Sequence, residues 1–212
     1  MRIVILTDSL GLPRKSIVEE KIWPHLIIQK YKDYHEIFTY LQAGRSTKNL
    51  DNRNIRKLKP EIVFFQVGIV DATRRALFRY ERIVFSRLPL VGKFVHYITR
   101  KHHYRFTKIR NIHYQNLKKY SKNISKFVSE VAPKYFVPIA ISKPGEYMIE
   151  KVYNIADDVN EYNSVLKSYE YYINPYSPNS TKHLRDDGHH LNDYGHNMVY
   201  RKVNEVMEKF LV

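Results

Sequence analysis

The 212-residue sequence contains no cysteine. That excludes disulfides, thiolate metal sites and a cysteine nucleophile, and it fits a reducing compartment, so a cytoplasmic protein is expected. No apolar run approaches the length of about 18 residues that a membrane-spanning helix needs. Met1-Arg2 is followed only by Ile3-Val4-Ile5-Leu6 before Thr7 and Asp8, which is far short of the apolar stretch of a signal peptide. There is no internal repeat and no low-complexity segment. Acids are scarce: 21 Asp and Glu stand against 36 Lys and Arg, for a formal charge of +15. Such a charge favours anionic partners, whether nucleic acid, anionic lipid or an acidic glycan.

Aromatic residues, by contrast, are plentiful, with eighteen Tyr and ten Phe available to fill a core. The length suits one α/β domain over 1–212. Arg2 to Leu6, Glu61 to Val67 and Lys134 to Ala140 are apolar runs of the kind that form buried parallel strands. His35 to Leu41 reads as a further strand, and Tyr171 to Asn174 as a last short one stopped by Pro175 and Pro178. Apolar spacing predicts helices over Ser16–Tyr31 (bent or re-started at Pro24) and Tyr114–Val131. Further helices are expected over Asn49–Leu58 (a polar one ended before Pro60), Asp157–Tyr169 and Asn192–Phe210. Strands alternating with helices imply a three-layer α/β/α sandwich around a central, mostly parallel, five-stranded sheet of flavodoxin-like type.

One stretch breaks the alternation. Arg74 to Arg110 holds eleven Lys and Arg against a single acid, Glu81, interleaved with Phe78, Tyr80, Leu90, Phe94, Tyr97 and other apolar residues. It reads as an insertion at about 74–110, with three readings open. It is a lid with its apolar face on the core and its basic face in solvent, an amphipathic element lying on an anionic membrane surface, or a nucleic-acid-binding element. No recognisable nucleic-acid-binding motif accompanies it, so nucleic acid is not the expected partner.

Two polar clusters carry chemistry. The first strand stops at Thr7-Asp8-Ser9, with Gly11 and Pro13 behind it, which presents a hydroxyl at the carboxyl edge of the sheet. The alternative is a cap, Asp8 or Ser9, for a helix starting near Lys15 or Ser16. Near the other end stands Asp186-Asp187-Gly188-His189-His190-Leu191-Asn192. A serine hydroxyl is a weak nucleophile until a base takes its proton, and that base needs an acid to orient it. An Asp three residues before a His, across a glycine turn, can serve. The same loop can instead be a polar turn that caps the last helix. The density of His183, His189, His190 and His196 beside Asp186 and Asp187 also admits a metal site, the least favoured reading.

These blocks resemble those of the SGNH (GDSL) hydrolases. Thr7-Asp8-Ser9-Leu10 is similar to their Gly-Asp-Ser-Leu block, Gly44 falls where they keep an oxyanion-hole glycine, Gly68-Ile69-Val70-Asp71 falls where they have Gly-x-Asn-Asp, and Asp187-Gly188-His189-His190 is similar to their Asp-x-x-His block. The resemblance implies Ser9 as nucleophile, His190 as general base and acid, Asp187 as the orienting carboxylate, and the N–H groups of Ser9 and Gly44 as oxyanion donors. It implies no metal and no cofactor. Asp186 and His189 fit the same spacing, but the family pattern of Gly after the acid and Leu after the His favours Asp187 and His190. Thr7 stands for the first glycine of the block. Val70 replaces the asparagine, and losing such a donor commonly costs about 10²–10³ in rate. Arg45, Arg74 and Arg75, next to Gly44 and Asp71, are candidate substitutes, with Arg45, Asp71 and Arg74 as substrate or oxyanion support. The implied function is a serine esterase or O-acyltransferase acting on an O-acyl, chiefly O-acetyl, ester of a carbohydrate, as in surface polysaccharide synthesis. The partners expected are that acylated sugar or another small ester, and an anionic membrane touched through 74–110 at its inner face. The competing function is an inactive protein of this fold that binds an anionic glycan, lipid or nucleic acid.

Overall fold

The computed structural model describes residues 1–14 and 17–210. Four parallel strands form the sheet: β1 (Arg2–Thr7), β2 (Glu36–Leu41), β3 (Ile62–Gln66) and β4 (Tyr135–Pro138), in the order β2-β1-β3-β4. Register pairs Val4 with Phe38 on one side and with Val63 on the other, so β1 lies at the centre. Side chains alternate across the sheet as strand geometry demands. Ile3, Ile5, Ile62 and Phe64 pack against α1 (Trp23–Tyr31) and α10 (Asp193–Phe210). Val4, Leu6, Val63 and Phe65 pack against α2 (Asn52–Leu58), α7 (Leu117–Val131) and α9 (Ile155–Lys167). Both faces are covered, so β1 and β3 read as unbroken apolar runs.

The three-layer architecture is as the sequence predicts, but the sheet has four strands rather than five. Tyr171–Asn174 contributes one parallel bridge, between Ile139 and Ile173. Ile173 donates to the Pro138 carbonyl at 3.0 Å and accepts from Ala140 N–H at 2.9 Å. The ladder ends there because Pro175, two residues on, has no N–H to give. The Ser16–Tyr31 helix is also corrected. It forms over Trp23–Tyr31, with Pro24 in the first turn, where its ring favours helix entry, and is not a bend in a longer helix. A 3₁₀ turn over Glu19–Lys21 precedes it, and the helix start expected near Lys15 or Ser16 lies outside the described residues.

The insertion folds as three helices, α4 (Arg79–Ser86), α5 (Pro89–Lys101) and α6 (His103–Arg110), preceded by the short α3 (Ile69–Ala72). Arg110 closes it on itself, pairing with Glu81 at 2.7 Å and 2.8 Å. His103 reaches back to the Lys151 carbonyl at the end of α8 (Glu146–Lys151). Its polarity differs from the lid reading. Arg79, Arg82, Ile83 and Ser86 share one helical face and line the open cavity in front of Ser9, while Tyr80 and Val84, also exposed, do not line it. The same division runs along the next two helices, where His96, Thr99 and His103 face the cavity and Leu90, Phe94 and Tyr97 face outward.

Candidate active site

The turns after β1, β2 and β3 meet the loop before α10 at the carboxyl edge of the sheet, as in other open α/β sheets. Ser9 opens a short 3₁₀ turn over Ser9–Gly11, in which Asp8 acts as cap by accepting from Leu10 N–H at 2.9 Å. The cap and the serine are thus neighbours in one turn. Asp8 itself is fully buried, and burial pushes its carboxyl up to about 7, against the opposing pull of the Leu10 and Gly68 N–H groups.

The loop before α10 brings His190 to Ser9. Asp187 accepts from the backbone N–H of His190 at 2.9 Å and of His189 at 3.1 Å. Its other oxygen lies 2.9 Å from His190 Nδ1, and His190 Nε2 lies 3.1 Å from Ser9 Oγ. With Nδ1 facing a carboxylate it carries the proton, and Nε2 is left with a lone pair aimed at the hydroxyl. Partial burial alone would raise Asp187, but the hydrogen bonds from His190 and His189 outweigh it and hold the carboxyl at about 2. His190 is lowered below its ordinary 6.5, chiefly by burial and then by neighbouring His189, with Arg14 adding to the effect and Asp187 opposing it. The ring is therefore neutral, and available as a base, at neutral pH.

The doubled residues separate cleanly. The His189 ring lies beside that of His190, tilted by 43° at 3.8 Å between ring centroids, but the chain of contacts to Ser9 runs through Asp187 and His190. Among the described residues, Asp187, His189 and His190 also bring ligand atoms within 4.8 Å of one another, so these three can hold a metal ion. His183 and His196 stand apart from that group. His183 is buried against Ser142 at 2.6 Å, and His196, lowered to about 4 by burial, sits under Trp23 N–H.

Gly44 lines the same cavity as Ser9. Neither backbone N–H has a partner among the described residues, so both are available to an oxyanion. Val70 lines the cavity with an apolar side chain. The candidate supports are distributed differently from expectation. Asp71 points away from the cavity, taking Ser46 Oγ at 2.6 Å and Thr47 N–H at 2.8 Å, and so pins the loop that carries Gly44. Arg74 is held bidentate by Asp158 at 2.6 and 2.8 Å and does not line the cavity. Arg45 is buried, next to Asp8 and Asp51, and does not line it either. Arg75 does, and it donates to the Val70 carbonyl at 3.1 Å.

Sequence reasoning overlooked Arg14. Its Nη2 lies 2.5 Å from His190 Nε2, so it donates into the lone pair that Ser9 would use. Its position five residues after Ser9, in the same turn, was the one available signal. That the turn curls back over His190 is decided by tertiary structure.

The sequence matches no protein-family model and no curated protein. Solved structures match it over most of their length. A member of the lipolytic G-D-S-L family from Veillonella parvula is 14% identical, with 97% of each chain covered and a TM-score of 0.63. A carbohydrate acetylesterase family member from Sinorhizobium meliloti is 12% identical, covering 99% of this chain and 98% of its own, at 0.60. The psychrotrophic esterase EstA of Pseudoalteromonas is 14% identical, with 99% and 98% covered, at 0.58. The protein has the SGNH (GDSL) hydrolase fold, as a divergent example.

Proposed function

We propose that the protein is a serine-dependent esterase or O-acyltransferase. The observation that carries this reading is the continuous contact from Asp187 through His190 to Ser9, at 2.9 and 3.1 Å. In the reaction, Ser9 Oγ bonds to the ester carbonyl carbon as His190 Nε2 takes the hydroxyl proton. The tetrahedral oxyanion meets the N–H groups of Ser9 and Gly44. Arg75, anchored on the Val70 carbonyl, adds a cation where the family has asparagine. Collapse breaks the bond to the alcohol, which leaves with the proton from His190. Water or a sugar hydroxyl then attacks the acyl-enzyme, giving its proton to His190, and Ser9 is regenerated. The ester is an O-acetyl group on a carbohydrate, a choice supported by the likeness to a carbohydrate acetylesterase family member. The outward apolar and basic side chains of α4 and α5 rest on an anionic membrane surface.

The competing reading, an inactive binding protein, draws on Val70 and on Arg14 occupying His190. Reaction with a fluorophosphonate probe separates the two. Labelling of the wild type, abolished in Ser9→Ala and reduced at least about 100-fold in His190→Ala, is the expected result. A folded wild type that takes no label overturns the enzyme reading.

A further inference from the structure

The cavity in front of Ser9 has a volume of about 1120 Å³, ample for more than an acetyl ester. Its wall includes Arg14, Arg75, Arg79, Arg82, Arg100 and Lys151, and it includes no Asp or Glu. Carboxylate partners go to cations outside the cavity, among them Arg74 with Asp158, Arg110 with Glu81, Lys21 with Asp193 and Arg2 with Glu36. Among the described residues, none of the six wall cations has such a partner.

The crowding has visible electrostatic consequences. Arg75 and Arg79 both lie over the ring of Tyr114, at 5.3 and 5.0 Å. Burial lowers the affinity of Arg75 for its proton, and the charges of Arg82 and Arg79 lower it further, only partly offset by Tyr114 and Asp71. The Arg75 Nε is buried without a hydrogen-bond partner, and so is that of Arg14. Arg79, Arg82 and Arg100 stand exposed to solvent at the rim beside the half-buried Arg75, and a cation with a buried, unspent donor and like charges for neighbours is costly unless an anion shares the space. Guanidinium forks match phosphate oxygens in pairs, and several forks suit a group carrying more than one negative charge better than a single carboxylate.

We propose that the wall formed by Arg75, Arg79, Arg82 and Arg100 binds a phosphate or diphosphate group on the substrate, so that the ester cleaved or made at Ser9 belongs to a phosphorylated alcohol or sugar. This rests on the hydrolase reading for the word substrate. The anion site itself stands on the cavity wall. Two sources present the same chemistry: a water-soluble phosphate ester, and a diphosphate on an isoprenoid lipid.

The test is calorimetric titration of the Ser9→Ala protein with inorganic pyrophosphate at constant ionic strength, beside the same protein carrying Arg82→Ala or Arg100→Ala. Saturable binding, weakened about tenfold by each second substitution and not competed by acetate, is expected. Circular dichroism melts confirm that the variants fold, and Arg82→Lys, which keeps the charge and loses the fork, should bind with intermediate strength. Farnesyl diphosphate binding more tightly than pyrophosphate places the group on a lipid, and equal binding places it on a soluble ester. No binding at about millimolar pyrophosphate, or binding indifferent to both Arg substitutions, overturns the proposal. Fluorophosphonate labelling without pyrophosphate binding leaves the hydrolase standing and removes the anion site. Binding without labelling keeps the anion site and removes the hydrolase.

Discussion

His190 is held between one acid and two donors that compete for a single lone pair. Asp187 fixes the proton on Nδ1, while Ser9 and Arg14 both approach Nε2, Arg14 the more closely at 2.5 Å. While Arg14 donates there, the serine proton has no open acceptor, so the resting site is partly blocked by its own cation. Removing the cation has two signed effects. The lone pair is freed for Ser9, and one influence that depresses His190 is lost. Because the neutral ring is the reactive form, labelling falls as pH drops through the pKa of His190, which lies below 6.5 in the wild type. In Arg14→Ala that pKa rises, so the fall should begin at higher pH, while the plateau rate at pH 8 rises several-fold. His189→Ala should move the midpoint in the same direction, and further, since His189 depresses His190 more than Arg14 does. Fluorophosphonate labelling rates between pH 4.5 and 8 measure both, and an unmoved or lowered midpoint contradicts the argument.

At the scale of elements, the site depends on turns rather than on the strands that precede them. Gly188 joins Asp187 to the histidines with φ at 73°, in the left-handed region, and a side-chain carbon there would stand 3.0 Å from Met148 N. Gly188→Ala should cost about 1–3 kcal/mol in denaturant unfolding. It should lower the labelling rate of the fully folded protein as well, because the same turn sets the Asp187–His190 contact. A rate equal to wild type under conditions where the variant is folded would show that the turn yields without moving the acid. Asp71 gives the complementary lesson. The sequence marks it as part of a functional block, yet its carboxylate serves the Gly44 loop through Ser46 and Thr47. A motif identifies the position, whereas only the packing around it shows which way the side chain turns.

For the molecule as a whole, charge and apolar surface are sorted by the insertion. Its cations lie on both sides of the three helices, and some of its apolar residues stand on the outside: Leu90 is 82% exposed and Phe94 63%. Spacing of i, i+4, i+7 places Leu90, Phe94 and Tyr97 on one face of α5, with Lys93 and Lys101 exposed beside them. Basic and apolar side chains mixed on one exposed face suit an anionic lipid surface. No helix among the described residues is long and apolar enough to cross a membrane. Co-sedimentation should therefore be strong with vesicles containing phosphatidylglycerol and weak with phosphatidylcholine alone. It should weaken as salt rises, and Phe94→Asp should abolish it without altering the melting temperature. Equal sedimentation with both lipids, or none with either, would reject the membrane contact.

The α/β layering was legible because its signals are local. Apolar runs such as Ile62-Val63-Phe64-Phe65 and helical spacing such as Tyr120, Ile124, Phe127 and Val131 are dictated by burial on one face or two. The residues that meet at the candidate site were legible as well, since Ser9 lies at a strand end and Asp187 and His190 in one glycine turn. The fifth strand was overread because pairing is a property of neighbours, and a run of four residues before a proline can supply only one bridge. The sequence by itself determined the layers, the sheet edge that carries chemistry and the excess of positive charge. Tertiary structure alone decided that Arg14 folds over His190, that Arg74 is neutralised by Asp158 while Arg75 is not, and that six cations share one cavity without an acid. The physical reason is distance: charge and hydrogen bonding act across a few ångströms of space, and nothing in the order of residues states which groups the fold will bring that close.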